Sequence, residues 1–315
     1  MAMKSDQVLP VGIFGDTGMV GTELDRLLAG HGGVRVAFRQ NSKRAEGRLS
    51  ACALAFLATK DGESMLFARE AIDAGVRVVD MSGAFRLGRE AFERWYGIPH
   101  TAPELLCEAV YGLPALNADK IRKARLVANP GCYPTAVILT LKPLGALLSG
   151  EAVIVATSGN SGARREAEAD SNEITYSFGT AHKHVPEMNF YAERDVDFTP
   201  IVLRSVFRGI NANIRVALSD GLRELEPERA AERIEEVIRA AYHEEDLVRV
   251  VRDTPERQWG TRDVVGTNEL IIKARVAGGR AYLCAMLDNL VKGAAGQAIE
   301  NMNLMLGLPR LTGLG

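Results

Sequence analysis

The chain has 315 residues, 47% of them hydrophobic and 25% charged, with 38 basic against 40 acidic side chains and a formal net charge of −2. Those are the proportions of an ordinary soluble globular protein of about two domains, and with no long block of either sign they exclude a phosphate-tracking surface, so no nucleic-acid partner is expected. Apolar runs such as Ala51–Ala58 fall short of a bilayer span and Met1–Gln7 carries no secretory apolar region, so no membrane partner is expected and the chain reads as cytoplasmic.

The first strand candidate, Val8–Phe14, runs into Gly15-Asp16-Thr17-Gly18-Met19-Val20-Gly21, after which Thr22–Leu28 has helical spacing. Strand, glycine turn and helix in that order are the context of a dinucleotide fingerprint, in which glycines let backbone amides approach a pyrophosphate at a helix N-terminus. Gly15, Thr17, Gly18, Met19 and Val20 are the expected cofactor contacts, the alternative being a plain strand-to-helix turn. The carboxylate of Asp16 must point away from any pyrophosphate. The next strand candidate, Val34–Phe38, ends in Arg39-Gln40-Asn41-Ser42-Lys43-Arg44, with no acid before Glu46. An acid there would bind a ribose hydroxyl, whereas basic and hydroxyl groups accept a 2′-phosphate. NADP is therefore favoured over NAD, with Arg39, Ser42 and Lys43 as candidates for the phosphate; a solvated basic loop is the alternative. Strand candidates at Ala51–Ala58, Val76–Asp80 and Arg125–Ala128 alternate with helical segments around Glu63–Ala74 and Asp119–Lys123, which predicts a Rossmann-type parallel sheet covered by helices.

Four cysteines, Cys52, Cys107, Cys132 and Cys284, are scattered without a Cys-x-x-Cys pair, so neither a disulfide framework nor a zinc site is encoded. Cys52 and Cys284 sit in apolar strand-like runs and read as core thiols, and Cys107 reads the same way. Cys132 is different. It follows Pro130-Gly131 and precedes Tyr133-Pro134, where proline suits the first turn of a helix. A sulfur at a helix N-terminus is favoured as thiolate by the unsatisfied amides and the helix dipole, so Cys132 is a candidate nucleophile as well as a candidate buried thiol.

After Gly150 the texture changes to many strands, at Ala152–Ala156, Ile201–Phe207, Ile214–Leu218, Leu247–Val251, Glu269–Val276 and Ala281–Leu287, with a strong helix at Pro227–Tyr242. This predicts a second, α+β domain for catalysis and oligomerisation over residues 132–288, with 1–131 and 289–315 forming the cofactor domain. A last helix over Asp288–Met305 carries small residues on one face. Ser158-Gly159-Asn160-Ser161 is a glycine-serine loop followed by Arg164; its amides and hydroxyls suit a phosphate or a nicotinamide carboxamide, and Arg164 and Arg208 suit an anionic substrate. A thiolate nucleophile needs a proton donor and acceptor, and of five histidines two fall in His182-Lys183-His184-Val185-Pro186-Glu187. In an extended segment His182 and His184 share one face and Glu187 is placed to orient an imidazole; a metal site or a solvated loop are the alternatives. His31 and His243 sit at helix ends, and His100 is undecided.

Together these pieces resemble the N-acetyl-gamma-glutamyl-phosphate reductases, part of the aspartate-semialdehyde dehydrogenase-like group. The most specific match is Ala128–Thr135, supported by Asp80–Leu87, Trp95–Gly97, Val110–Pro114, His182–Glu187 and Lys292–Ala298, so the resemblance spans nearly the whole chain. It implies a Cys132 nucleophile, acid–base groups from His184, His182 and Glu187, and a C-terminal helix that returns to the cofactor domain. It also implies cofactor contacts from Ser158, Gly159 and Asn289, substrate contacts from Asn129, Ser161, Arg164 and Arg208, no metal, and a homodimer or tetramer. The implied reaction is NADPH-dependent reduction of a small-molecule acyl phosphate through a Cys132 thioester, with His184 preferred as proton donor and the Cys132 amide polarising the carbonyl. The glycine loop lacks the aromatic residue many relatives place there, and Asn160 stands at a variable spot. Substrate identity therefore stays open to a carrier-linked aminoadipyl phosphate of lysine biosynthesis, and a non-catalytic NADP sensor, which needs no activated thiol, is the reading from another class.

Overall fold

Strand β1 (Leu9–Phe14) is apolar on both faces because both are covered: Val11 and Ile13 enter one core, Phe14 the other. The computed structural model describes residues 8–162 and 172–314. In chain order β1 is followed by α1 (Met19–Ala29), β2 (Val34–Gln40), β3 (Ala45–Gly47), β4 (Leu54–Leu57), α2 (Asp61–Asp73), β5 (Arg77–Asp80), α3 (Arg89–Tyr96), β6 (Ala109–Tyr111), α4 (Pro114–Lys123) and β7 (Leu126–Ala128). The strands form a seven-stranded sheet in the order β3-β2-β1-β4-β5-β7-β6, parallel except where β3 pairs antiparallel with β2. Along β4 the alternation is plain, with Leu54 and Phe56 on one face and Ala55 and Leu57 on the other. A sheet buried on both sides reads as continuous apolar runs, which is why periodicity located β1, β2, β4, β5 and β7, while the three-residue edge strands β3 and β6 escaped it.

The second sheet belongs to the other half. Its elements are α5 (Cys132–Leu141), β8 (Leu148–Gly159), β9 (Glu173–Thr175), α6 (Val185–Ala192), β10 (Val196–Leu203), β11 (Ile210–Leu218), α7 (Asp220–Arg223), α8 (Pro227–Ala241), β12 (Val248–Val250), β13 (Leu270–Ala277) and β14 (Arg280–Leu287). Strand order is β12-β13-β14-β11-β8-β10-β9, mixed in direction. Helices α5 and α8 pack on this sheet. The side chains of Val153, Val155, Asn213, Arg215, Lys273, Arg275, Tyr282 and Cys284 line a groove of about 820 Å³. The final helix α9 (Gly296–Leu306) packs on α1 and α4, inserting Ala298, Ile299 and Met302 into the core of the first sheet. The chain thus divides into Met1–Gly131 with Ala294–Gly315, and Cys132–Gly293. Among the described residues no helix is long and apolar enough to cross a membrane.

Several boundaries differ from expectation for local reasons. The run Ala51–Ala58 splits into a 3₁₀ turn (Leu49–Ala51) and β4, leaving Cys52 in the core but not in a strand. The strand expected at Ile201–Phe207 starts at Val196, because Pro200 is tolerated where β9 pairs only with Ile201–Leu203. The last α-helix begins at Gly296 rather than Asp288, since the Asp288 carboxylate takes the amides of Leu290 and Val291 at 2.8 and 3.3 Å and a π-helical turn (Val291–Ala295) intervenes. Cys107 is exposed at the end of a 3₁₀ turn, not in the core, and Cys284 is half-buried on the grooved sheet face. Elements α3, α6, α7, β3, β6 and β9 are additions to the sequence reading.

Candidate active site

The glycine turn leaves β1 at the carboxyl edge of the parallel sheet, between β2 and β4, where connections depart in opposite directions; such switch points are where open α/β sheets bind ligands. Gly15 has φ +85° and a Cβ there would lie 2.5 Å from the Ala58 carbonyl oxygen, so the turn needs glycine. A Cβ on Gly21 would run into the Gly15 carbonyl, so glycine also lets α1 press against the turn. Gly18 caps α1 without a side chain, and Thr17, Gly18 and Met19 are exposed while Val20 is half-buried. Bare amides at a helix start, with no side chain in front of them, fit a dinucleotide pyrophosphate.

Asp16 does turn away, and what it turns toward was not foreseen. Its carboxylate accepts hydrogen bonds from Asn41 Nδ2 at 2.7 Å and Arg44 Nη2 at 2.8 Å, with Arg39 Nη1 4.0 Å away. Burial works to raise its pKa, but the bonds from Asn41 and Arg44 outweigh that and hold it below the usual carboxylate value. Arg39 is paired to Asp25 at 2.6 Å, and Ser42 and Lys43 are exposed.

At the ends of β5 and β7 a polar network fixes the approach to Cys132. The buried Asp80 accepts the Ser82 amide and hydroxyl at 3.1 and 2.8 Å. Burial pushes its pKa up to about 6 against the pull of Ser82, Arg86 and Ser64. Arg86 donates to the carbonyls of Asn129 and Met81 at 2.8 and 3.0 Å. Asn129 bonds at three points: its amide donates to the Asp80 carbonyl at 2.7 Å, its Nδ2 to Ala294 O at 3.2 Å, and its Oδ1 accepts from Asn301 Nδ2 at 3.0 Å. Asn129, expected to contact substrate, thus also ties the end of β7 to β5 and to the C-terminal segment of the first unit. His100 is a structural group, its ring bonded to Ala84 O at 2.9 Å.

In the second unit Cys132 is the first residue of α5, half-buried, with Pro134 in the opening turn where its missing N–H costs nothing. Every later residue of α5 is buried. Gly293 lies against the thiol residue so closely that a Cβ on it would stand 2.6 Å from the Cys132 Cβ. His182 and His184 come together, but not on a strand: they sit in the turn before α6, where the His184 amide donates to His182 Nδ1 at 3.1 Å and the ring centroids are 4.7 Å apart. That bond fixes the neutral His182 tautomer with its proton on Nε2. Around it stand Tyr133, Tyr176 and Phe198, with centroids 5.9, 5.6 and 5.2 Å from the His182 ring. This apolar enclosure drives the His182 pKa down to about 4, burial first and Lys183 second. Burial likewise drives the phenols of Tyr133 and Tyr176 up, and the charge of Cys132 is among the further causes for both. Glu187 is fully buried in the first turn of α6, and His184 is half-buried. Sequence reading missed both tyrosines, although Tyr133 adjoins Cys132 and Tyr176 precedes His182 by six residues.

The loop after β8 is tied down. A Cβ on Gly159 would lie 2.5 Å from the Arg208 amide, the Ser161 amide donates to Phe207 O at 2.9 Å, and Ser158 Oγ donates to Gly159 O at 3.1 Å. Asn289 spans the loops, donating to Ser161 Oγ at 3.0 Å and accepting the Gly209 amide at 2.7 Å. Arg208 is paired at 3.0 Å with the fully buried Asp288, so its charge is met within the fold. Arg164 lies outside the described residues. Among the described residues no three His, Cys, Asp or Glu side chains are arranged to hold a metal ion.

The chain matches the family models for the semialdehyde dehydrogenase dimerisation domain over residues 132–289 and the semialdehyde dehydrogenase NAD binding domain over residues 37–124. It is 40% identical to the N-acetyl-gamma-glutamyl-phosphate reductase of Thermus thermophilus, over 96% of this chain and 98% of that one. The reductases of the same name from Halorhodospira halophila and Pseudomonas aeruginosa are 39% and 37% identical, each over 98% of both chains. Among solved structures, aspartate semialdehyde dehydrogenase II from Vibrio cholerae superposes with a TM-score of 0.70 at 20% identity, covering 96% of this chain and 99% of that one. Aspartate semialdehyde dehydrogenase with NADP from Candida albicans gives 0.71 at 14% identity, covering 95% and 99%. At those identities the likeness shows the fold alone: a parallel-sheet domain followed by a mixed-sheet domain.

Proposed function

The chain belongs to the N-acetyl-gamma-glutamyl-phosphate reductase family, and from that premise we propose that it reduces N-acetyl-gamma-glutamyl phosphate to the semialdehyde, a step of arginine biosynthesis, in the cytoplasm. The observation that carries the reading is Cys132 as the first residue of α5, with the ring of the next residue, Tyr133, 5.9 and 6.1 Å from the rings of His182 and His184, in a chain whose full-length relatives bear that name. The Cys132 thiolate attacks the acyl carbonyl, the carbon–oxygen bond to phosphate breaks, and a thioester remains on sulfur. Bound NADPH supplies the hydride that reduces this thioester. The Cys132 amide at the helix start stabilises the oxyanion in both steps. His184, less buried than its neighbour, gives and takes the proton at that oxygen, while His182 stays neutral and orients it through the bond to the His184 amide. As the thiohemiacetal collapses the carbon–sulfur bond breaks, releasing aldehyde and restoring the thiolate.

The amides of Gly15 to Val20 would hold the cofactor's pyrophosphate, and the exposed Ser42 and Lys43 after β2, with Arg39 beside them, would meet the 2′-phosphate of NADPH. Ser158, Gly159 and Asn289 would be further contacts for the cofactor, Ser161 for the substrate, and Arg164 and Arg208 for its carboxylate. The dimerisation-domain match supports a homo-oligomer, dimer or tetramer, joined through the grooved sheet face, where Val155 and Tyr282 are 41% and 44% exposed. The test is the reverse reaction: N-acetylglutamate semialdehyde, NADP and inorganic phosphate should yield NADPH, seen at its absorbance band. No turnover with this aldehyde, but turnover with a carrier-linked aminoadipate semialdehyde, would replace the substrate assignment.

A further inference from the structure

We infer that Asp16 sets the cofactor selectivity of the glycine turn, holding the arginines after β2 in charge-compensated pairs so that a ribose 2′-hydroxyl is accepted nearly as well as a 2′-phosphate. The inference rests on the dinucleotide reading of the turn.

The segment after the second strand of such a sheet is where the adenosine ribose 2′ position is read. From sequence it is uniformly basic, with Arg39, Lys43 and Arg44. In three dimensions each arginine already has an acid: Arg44 bonds Asp16 at 2.8 Å and Glu46 at 3.2 Å, and Arg39 bonds Asp25 at 2.6 Å with Asp16 4.0 Å away. The three cations Arg39, Lys43 and Arg44 therefore face three acids, Asp16, Asp25 and Glu46, and Lys43 alone of these cations makes no ion pair among the described residues.

Asp16 is also locked in place. Asn41 donates from Nδ2 to Asp16 at 2.7 Å, while its Oδ1 takes the amides of Lys43 and Arg44 at 2.9 and 3.2 Å and its own amide bonds Arg44 O at 2.9 Å. The Asp16 side chain is 4% exposed and lies in the turn next to the amides that would face the pyrophosphate. A phosphate arriving at Arg44 meets a fixed negative charge on the same guanidinium, whereas a hydroxyl can donate to it. The carboxylate thus withholds from a 2′-phosphate part of the attraction its arginines advertise.

The experiment is calorimetric titration of the full chain with NADPH, NADH and 2′,5′-ADP, without substrate, so that binding is read apart from turnover. Wild type should bind NADPH and NADH within roughly tenfold of each other, and Asp16→Asn should tighten NADPH and 2′,5′-ADP by roughly tenfold without tightening NADH, the scale of one uncompensated charge near a protein surface. Asp16→Ser, which keeps an acceptor for Asn41 but no charge, should do the same. A wild-type preference for NADPH beyond about a hundredfold overturns the inference, and that result needs no variant to fold. Unchanged or weakened NADPH binding in the folded variants overturns it as well. If wild type binds neither dinucleotide, the cofactor reading itself falls, a result distinct from failed selectivity.

Discussion

The cofactor turn and the thiol pocket both hold a titratable group below its ordinary pKa, yet they do so by opposite means. Asp16 is kept charged because Arg44 and Asn41 bond it; His182 is kept neutral because Tyr133, Tyr176 and Phe198 exclude water from it. One region is built by charge compensation and the other by desolvation. The difference suits the tasks proposed for them: an anion-binding edge works through fixed charge and bare amides, while an acyl-transfer centre works by strengthening weak dipoles in a dry enclosure.

The largest expected effect tests whether the dry pocket does chemistry at all. Cys132→Ser should lower phosphate-dependent aldehyde oxidation by about 10⁴-fold while leaving dinucleotide affinity unchanged. A variant within tenfold of wild type in kcat would remove the covalent mechanism and leave the pocket as mere packing.

Acid titration separates the two regions directly. His182 has an ordinary pKa of 6.5 when unfolded and about 4 when folded, so its contribution is present above 6.5 and is lost as pH falls towards 4. The loss amounts to about 3 kcal/mol. Asp16, with its folded pKa below 3.8, also contributes stability that acid removes, but only as pH falls beneath that value. Urea unfolding followed across this range should therefore show the thiol pocket weakening first and the cofactor turn later. His182→Asn, which keeps an acceptor for the His184 amide, should flatten the upper part of the profile and Asp16→Asn the lower part. Identical profiles for wild type and His182→Asn would mean that the imidazole is not desolvated.

What could be read from sequence, and what could not, follows the same division. The first sheet was legible because burial on both faces writes itself as apolar runs, and the glycine turn because Gly15 must take positive φ. Cys132 was legible from its prolines. The partners were not, because they come from distant turns whose residues carry no periodicity: Tyr176 reaches the His182 ring and Asn289 joins Ser161 to Gly209. The basic stretch at Arg39–Arg44 was only half legible for a related reason, since a one-dimensional reading sees its cations but not the acids at positions 16 and 25 that fold onto them. Nor could the sequence show that Asp288, eighty residues on in the chain, pairs with Arg208.

The smallest of these effects concerns a residue with no side chain, and it asks how narrowly the pocket fixes the sulfur. Gly293 has its amide bonded to Asp288 O at 2.9 Å, and Asp288 is anchored by the Gly266 amide at 2.7 Å and by Arg208. The backbone at Gly293 is thus held from behind and cannot retreat. A methyl group there would stand 2.6 Å from the Cys132 Cβ, 3.2 Å from its Cα and 3.3 Å from Leu287 Cδ1, so it is the first turn of α5 that must give. Displacing a nucleophile by a fraction of an ångström to 1 Å costs on the order of 10²-fold in rate. Gly293→Ala should therefore lower kcat by about that factor, slow alkylation of Cys132 by iodoacetamide, and leave NADPH binding in the other unit as it was. Undiminished kcat would show that the helix start yields freely, and that the thiol is positioned by its histidine and tyrosine neighbours rather than by the packing behind it.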